Sequence, residues 1–173
     1  MPKSLIVLLY TIFNFLAYSQ TIFDLARQSE VELMKDYLDK NPSEVNILSE
    51  QGLSPFLISA YRGNTLIARL LIERGADIKA CYEEGSAVYG AIYKNNTEIL
   101  KLLIENGINL NDTCQFKQFG APIHFAMSLK RYELLKIILQ ENINLKLIDQ
   151  NERSINQLLT IYNDDKLNEL FKK

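Results

Sequence analysis

One phrase recurs along this chain, and its period constrains the fold more than any other feature. Ile67-Ala68-Arg69-Leu70-Leu71-Ile72-Glu73-Arg74-Gly75 sets Ile67, Leu70 and Leu71 at i, i+3 and i+4, one apolar face of a helix, and follows it with a glycine. The phrase returns as Ile99-Leu100-Lys101-Leu102-Leu103-Ile104-Glu105-Asn106-Gly107 and as Leu134-Leu135-Lys136-Ile137-Ile138-Leu139-Gln140-Glu141-Asn142. Alignment on the apolar positions gives five registers: Leu33 with Tyr37, Ile67 with Leu70 and Leu71, Ile99 with Leu102 and Leu103, Leu134 with Ile137 and Ile138, and Leu167 with Leu170 and Phe171. Their starts lie 34, 32, 35 and 33 residues apart. Such a period is the signature of a repeat array, whose units bury their apolar faces on their neighbours. In the first four registers Asn41, Gly75, Gly107 and Asn142 stand where the helix ends, and Asn and Gly enter the left-handed conformation most cheaply.

A shorter helix is predicted before each of these. In the second unit it opens at Ser54-Pro55, an N-cap followed by proline at the first helical position, and ends at Gly63-Asn64. The third unit has Ser86 through Lys94, then Asn95-Asn96, and the fourth has Ala121-Pro122-Ile123-His124 through Leu129. Small residues at Ser59, Ala91 and Ala126 let adjacent helix pairs approach closely.

These residues carry a family likeness. Gly52-Leu53-Ser54-Pro55-Phe56-Leu57, Gly63-Asn64 and Leu70 through Ile78 resemble an ankyrin repeat, which writes Gly-x-Thr-Pro-Leu-His, then Gly-His, then Leu-Leu-Leu-x-x-Gly-Ala-Asp-Val-Asn. Ala121-Pro122-Ile123-His124 keeps the signature His. The resemblance spans about residues 21 to 173; the third unit lacks the Pro and His, and the fourth has Asn142-Ile143 for Gly-Ala after a three-residue expansion. It implies an all-α ankyrin-repeat solenoid of helix-turn-helix units joined by short hairpin-like loops, with units near 20–48, 49–80, 81–115, 116–148 and 149–173. Asp36 in the place of Leu70, and the basic Lys172-Lys173 end, read as capping features of a complete array.

The first nineteen residues are of another kind. Lys3 precedes a nearly uninterrupted apolar run from Leu5 to Ala17, and Ala17-Tyr18-Ser19 supplies the small residues of a signal cleavage site. The expectation is a cleaved signal peptide, residues 1–19, with Gln20 as the new N-terminus and a periplasmic or secreted product. The alternatives are an uncleaved anchor or a buried first helix. Export would place Cys81 and Cys114 in an oxidising compartment. A disulfide between them is one outcome, but equivalent positions of stacked repeats usually lie beyond bridging distance, so two free thiols are expected.

Chemistry has few carriers here. The net charge of −2 gives no basic footprint for nucleic acid. Phosphate-binding loops, the Gly-x-Ser-x-Gly elbow, Cys-x-x-Cys and His-Glu-x-x-His are all missing from the sequence. No cofactor or metal is expected. His124, the one histidine, reads through the resemblance as a backbone-bonding residue that fixes an inter-repeat turn. A Cys114–His124 nucleophile pair is the weakest alternative. Asn95-Asn96-Thr97 and Asn111-Asp112-Thr113 match glycosylation acceptors, and Glu83-Glu84 and Asp164-Asp165 read as solvated loop charge.

Function therefore rests on surface. The resemblance implies a concave face of loop tips and first-helix ends that binds other proteins. Carried over position by position, it comprises Gln51, Leu53, Tyr61 and Arg62, then Tyr82, Glu83, Tyr93 and Lys94, then Lys117, Gln118 and Leu129, with Phe116 and Phe119 beside them. Tyr61-Arg62 and Tyr93-Lys94 repeat an aromatic-basic pair, and both residue types are frequent in binding hot spots. The reading is a monomeric, non-enzymatic, exported protein-binding module that takes no nucleic acid and inserts in no membrane once its signal is removed. The alternative is an immunity or inhibitor protein that neutralises one enzyme or toxin.

Overall fold

A computed structural model describes residues 20–83, 85–111, 114 and 120–172. The expected signal peptide, together with Glu84, Phe116, Lys117, Gln118 and Phe119, lies outside the described residues. The helices, in chain order, are α1 (Ile22–Arg27), α2 (Val31–Lys40), α3 (Pro55–Arg62), α4 (Thr65–Glu73), α5 (Ala87–Lys94), α6 (Thr97–Glu105), α7 (Pro122–Ser128), α8 (Tyr132–Gln140), α9 (Ile155–Tyr162) and α10 (Asp165–Phe171), with a 3-10 turn at Pro42–Asn46. They pair as first and second helices of successive units. First helices pack on first helices and second on second, so the stack has two layers. No strand is present among the described residues, only isolated bridges at Tyr82–Gly85 and Ile148–Ser154.

The repeated phrase folds for the reason its spacing suggests. Ile67, Leu70 and Leu71 are buried, as are Ile99, Leu102 and Leu103 one unit on. Toward the ends the middle position of the triplet opens: Tyr37, Ile137 and Leu170 are half-buried against the core. The short first helices of the second and last units start on side-chain caps, whereas Ser86 at the start of α5 makes no cap bond. Ser54 Oγ accepts the Leu57 N–H at 3.1 Å with Pro55 at the first helical position. Ser154 and Gln157 complete a reciprocal capping box on α9.

Two details of the register differ from expectation. In the first unit the buried pair is Met34 and Leu38, and Leu33 is 46% exposed, so the apolar face sits one residue later than the Leu33–Tyr37 alignment. Tyr37, not Asp36, thus occupies the place of Leu70. Met34 is as apolar as Leu33, and only packing against α4 decides which turns inward. The left-handed closures are also distributed differently. Gly75 and Gly107 adopt positive φ, at 87° and 77°, but Asn41 sits at −132° and Asn142 is not left-handed. Asn41 precedes Pro42, which disfavours helical conformations at the residue before it. The chain leaves α8 through an extended Glu141. Left-handed residues instead close four first helices: Gly63, Asn95, Lys130 and Asn163.

The tightest approach in the first-helix layer is at Gly90. A Cβ there would stand 2.9 Å from the Tyr61 ring and 3.1 and 3.2 Å from backbone atoms of Tyr61 and Ala60. Gly90→Ala should therefore destabilise the protein by about 1–3 kcal/mol through overpacking. That outweighs the roughly 1 kcal/mol which a helix interior gains from the same change. Urea unfolding with an unchanged m-value checks it.

Candidate protein-binding face

The seams between units position the face, and polar side chains stitch them. At the helix-turn end, Asn64 Nδ2 donates to the Ala26 and Gln28 carbonyls at 2.9 and 3.0 Å. Asn96 Nδ2 donates to the Gly63 carbonyl at 3.2 Å, and Arg131 to the Ile92 and Tyr93 carbonyls at 3.3 and 2.9 Å. At the last seam the polarity reverses: Lys130 Nζ and Tyr132 Oη both donate to Asp164, at 2.8 and 3.0 Å. The Lys130 ammonium is the main reason the Asp164 carboxyl titrates at about 2.

The loop end is stitched as well. Asn46 bonds the Gly75 carbonyl and the Asp77 N–H, at 3.0 and 2.8 Å. Asn111 does the same to Asn142 and Asn144, at 2.7 and 2.8 Å. Its amide is thus engaged across the seam. The intervening unit has Lys79 in that register, and there the stitch is covalent: Cys81 and Cys114 form a disulfide with Cα atoms 5.6 Å apart. This corrects the expectation of two free thiols. Loops of neighbouring units run side by side within hydrogen-bond reach, so corresponding positions do come within bridging range. Closing 33 residues of chain contributes about 3–4 kcal/mol in the chain-entropy account.

A third seam contact runs from the first helices. His124 is buried; its Nδ1 accepts the Ala121 N–H at 3.2 Å, which leaves Nε2–H to donate to the Leu147 carbonyl at 3.3 Å. Tyr89 takes the same place one unit earlier, its hydroxyl donating to the Gly120 carbonyl at 2.6 Å. Tyr89 thus replaces the missing signature His, a role that sequence reasoning did not assign to it. Cys114 carries no thiol and both His124 ring nitrogens are engaged, so the Cys114–His124 nucleophile pair does not form.

The expected face residues fall into two groups. Gln51, Leu53, Tyr61 and Arg62 converge with Arg27, Leu57 and Ile58 on an open groove of about 570 Å³ between the first two units. Tyr61 meets Tyr93 across the next seam, ring centroids 6.3 Å apart and planes inclined by 41°. Tyr93 is 55% exposed, and Arg62, Lys94 and Glu83 are exposed as well. Glu83 sits in the tight loop held by the Tyr82 and Gly85 backbone bonds. Tyr82 and Leu129, by contrast, are half-buried and packed on the core. Arg27 was not singled out from sequence, although it stands in the last turn of α1 as Arg62 and Lys94 stand in those of α3 and α5.

A family profile described as ankyrin repeats (3 copies) matches residues 22–114, more than half of the chain. The chain belongs to the ankyrin-repeat family. Among curated proteins it is similar to ankyrin repeat and SAM domain-containing protein 6 of Rattus norvegicus and of Mus musculus, each 30% identical over 57 residues. The match covers 33% of this chain and 6% of either relative. Ankyrin repeats mark the chain as a protein–protein interaction module. Among the described residues no helix is long and apolar enough to cross a membrane, and no cluster of His, Cys, Asp and Glu could hold a metal ion.

Burial lowers the His124 pKa from its ordinary 6.5, against the opposing pull of the Leu147 carbonyl and Asp149. A lowered folded value means that the unfolded chain binds the proton first. The stabilisation is complete above about pH 6.5 and is lost as pH falls toward the folded value. Urea midpoints should accordingly decline below pH 6.5, before carboxylates titrate. His124→Gln should flatten that part of the profile while lowering stability throughout.

Proposed function

We propose that this chain is an exported, non-enzymatic module that binds a partner protein through the face made by its first-helix ends and loop tips. The observation that carries the reading is the convergence of Gln51, Leu53, Tyr61 and Arg62 on one groove, continued by the Tyr61–Tyr93 pair. An open apolar floor rimmed by aromatic and basic side chains has the composition of a binding hot spot: rigid contact area with polar handles. Loop tips braced by Asn46, Asn111 and the disulfide hold that surface with little ordering left to do on binding.

Two features support export. The first is the basic start, apolar run and small-residue site of residues 1–19. The second is the Cys81–Cys114 disulfide, a bond that persists in oxidising compartments and is rare in reducing ones.

Tyr61→Ala combined with Tyr93→Ala should abolish capture of the partner from the native envelope or secreted fraction and shift Tm by no more than a few degrees. Unaltered capture would overturn the face. Independently, N-terminal sequencing of the chain recovered from its native cell should start at Gln20, with no thiol labelled until reductant is added. A chain starting at Met1 refutes cleavage, and a chain starting at Met1 that is also labelled without reductant refutes export.

A further inference from the structure

The last turns of three successive first helices each carry one exposed cation: Arg27 on α1, Arg62 on α3 and Lys94 on α5. Arg62 and Lys94 share a register, each eight residues after its N-cap, and Arg27, six residues after Thr21, joins them in space. Arg27 and Arg62 flank the same groove, and the Lys94 Cβ stands 4.0 Å from where a Cβ on Gly63 would be. Among the described residues Arg27 pairs with Asp24, a solvent-exposed pair at 3.6 Å. Arg62 and Lys94 have no ion-pair partner among the described residues, while the next cation along, Lys130, is neutralised by Asp164. The strip therefore ends after three charges, on a protein whose net charge is −2. Between the charges lie the half-buried Leu53 and the Tyr61–Tyr93 pair, over the buried Leu57 and Ile58.

We infer that this strip binds an acidic, extended segment of the partner protein, with a carboxylate at every third residue and apolar side chains between. The inference rests on the protein-binding reading of this face and names the chemistry of its partner. The spacing argues for the register. Arg62 and Lys94 occupy equivalent positions on packed helices, which stand about 8–10 Å apart, and Arg27 adds a third charge on the groove that Arg62 lines. A polyproline-type chain repeats every three residues, about 9 Å, with the same side pointing in. A β-strand instead returns to one face every two residues, about 7 Å, and drifts out of step. Three isolated cations with an apolar floor are a poor match for nucleic acid, whose affinity comes from neutralising a continuous run of phosphates.

The test uses the oxidised full chain and fluorescent twelve-residue peptides read by anisotropy. One peptide carries Glu at every third position with Leu and Pro between. A second has the same composition with Glu at every second position, and a third has Lys in place of Glu. A single-stranded oligonucleotide is the fourth probe. The first peptide should bind best, weaken several-fold between 50 and 300 mM salt as exposed charges are screened, and weaken at least ten-fold with R62E/K94E. Arg69→Glu, on a second helix, should leave binding unchanged. Equal binding of the Lys peptide, the alternate-spaced peptide or the oligonucleotide overturns the inference, as does no binding below about 1 mM or indifference to R62E/K94E. Any of these results, with partner capture still lost in the Tyr61 and Tyr93 double variant, would overturn the acidic register alone. Partner capture retained in that double variant would remove the face itself.

Discussion

A stack of repeats has no central core; each unit touches only its neighbours, and the fold holds where the seams hold. In this chain the first three seams each combine an apolar contact with the satisfaction of backbone groups that the turns leave unpaired. Carbonyls at the ends of the first helices are exposed by the helix terminus and covered by the next unit, where an unpaired oxygen would cost about 1–3 kcal/mol. Asn64, Asn96 and Arg131 reach back across the seam to supply the missing donors. Gly90 allows the helices to approach closely enough for such reach, because any side chain there meets the backbone of Tyr61 and Ala60.

The same principle orders the loop side, with different chemistry at different seams. Asn46 and Asn111 each pair a carbonyl and an N–H of the following loop. Where Lys79 interrupts that pattern, Cys81 and Cys114 join the loops covalently. Tyr89 and His124 likewise perform one task with different groups, each donating from a buried first helix to a carbonyl of a following loop. The units are interchangeable in geometry and not in residue type, which is how so divergent a set of repeats stacks in one direction. Function follows from that division: buried positions spend their polar atoms on seams, and the outer ends of α1, α3 and α5 keep Arg27, Arg62, Lys94 and Tyr93 exposed.

Much of the scaffold was legible in order of residues alone. The triplets Ile67, Leu70, Leu71 and Ile99, Leu102, Leu103 announce their helix by spacing, and Ser54-Pro55 announces where another begins. The first unit misled because Leu33 and Met34 are equally apolar neighbours, and a pattern cannot choose between them when only half its positions are apolar. Asn41 misled because its preference for the left-handed conformation is overridden by the proline that follows. Four of the expected face residues converge on one groove, since register in a solenoid converts sequence spacing into a line on the surface. Arg27 was not legible by register, since it lies six residues after its N-cap where Arg62 and Lys94 lie eight after theirs, and only the shared groove brings it to them.

The amino-acid order by itself determined the period, the helical class, the capping of the first helices and the line of exposed side chains, because each depends on residues a few positions apart or one repeat apart. Only the tertiary structure decided which first-unit residues face inward, that Tyr89 stands in for a histidine, and that Cys81 meets Cys114. Those outcomes depend on how closely two units approach, a distance set by packing across the seam and written in neither unit alone.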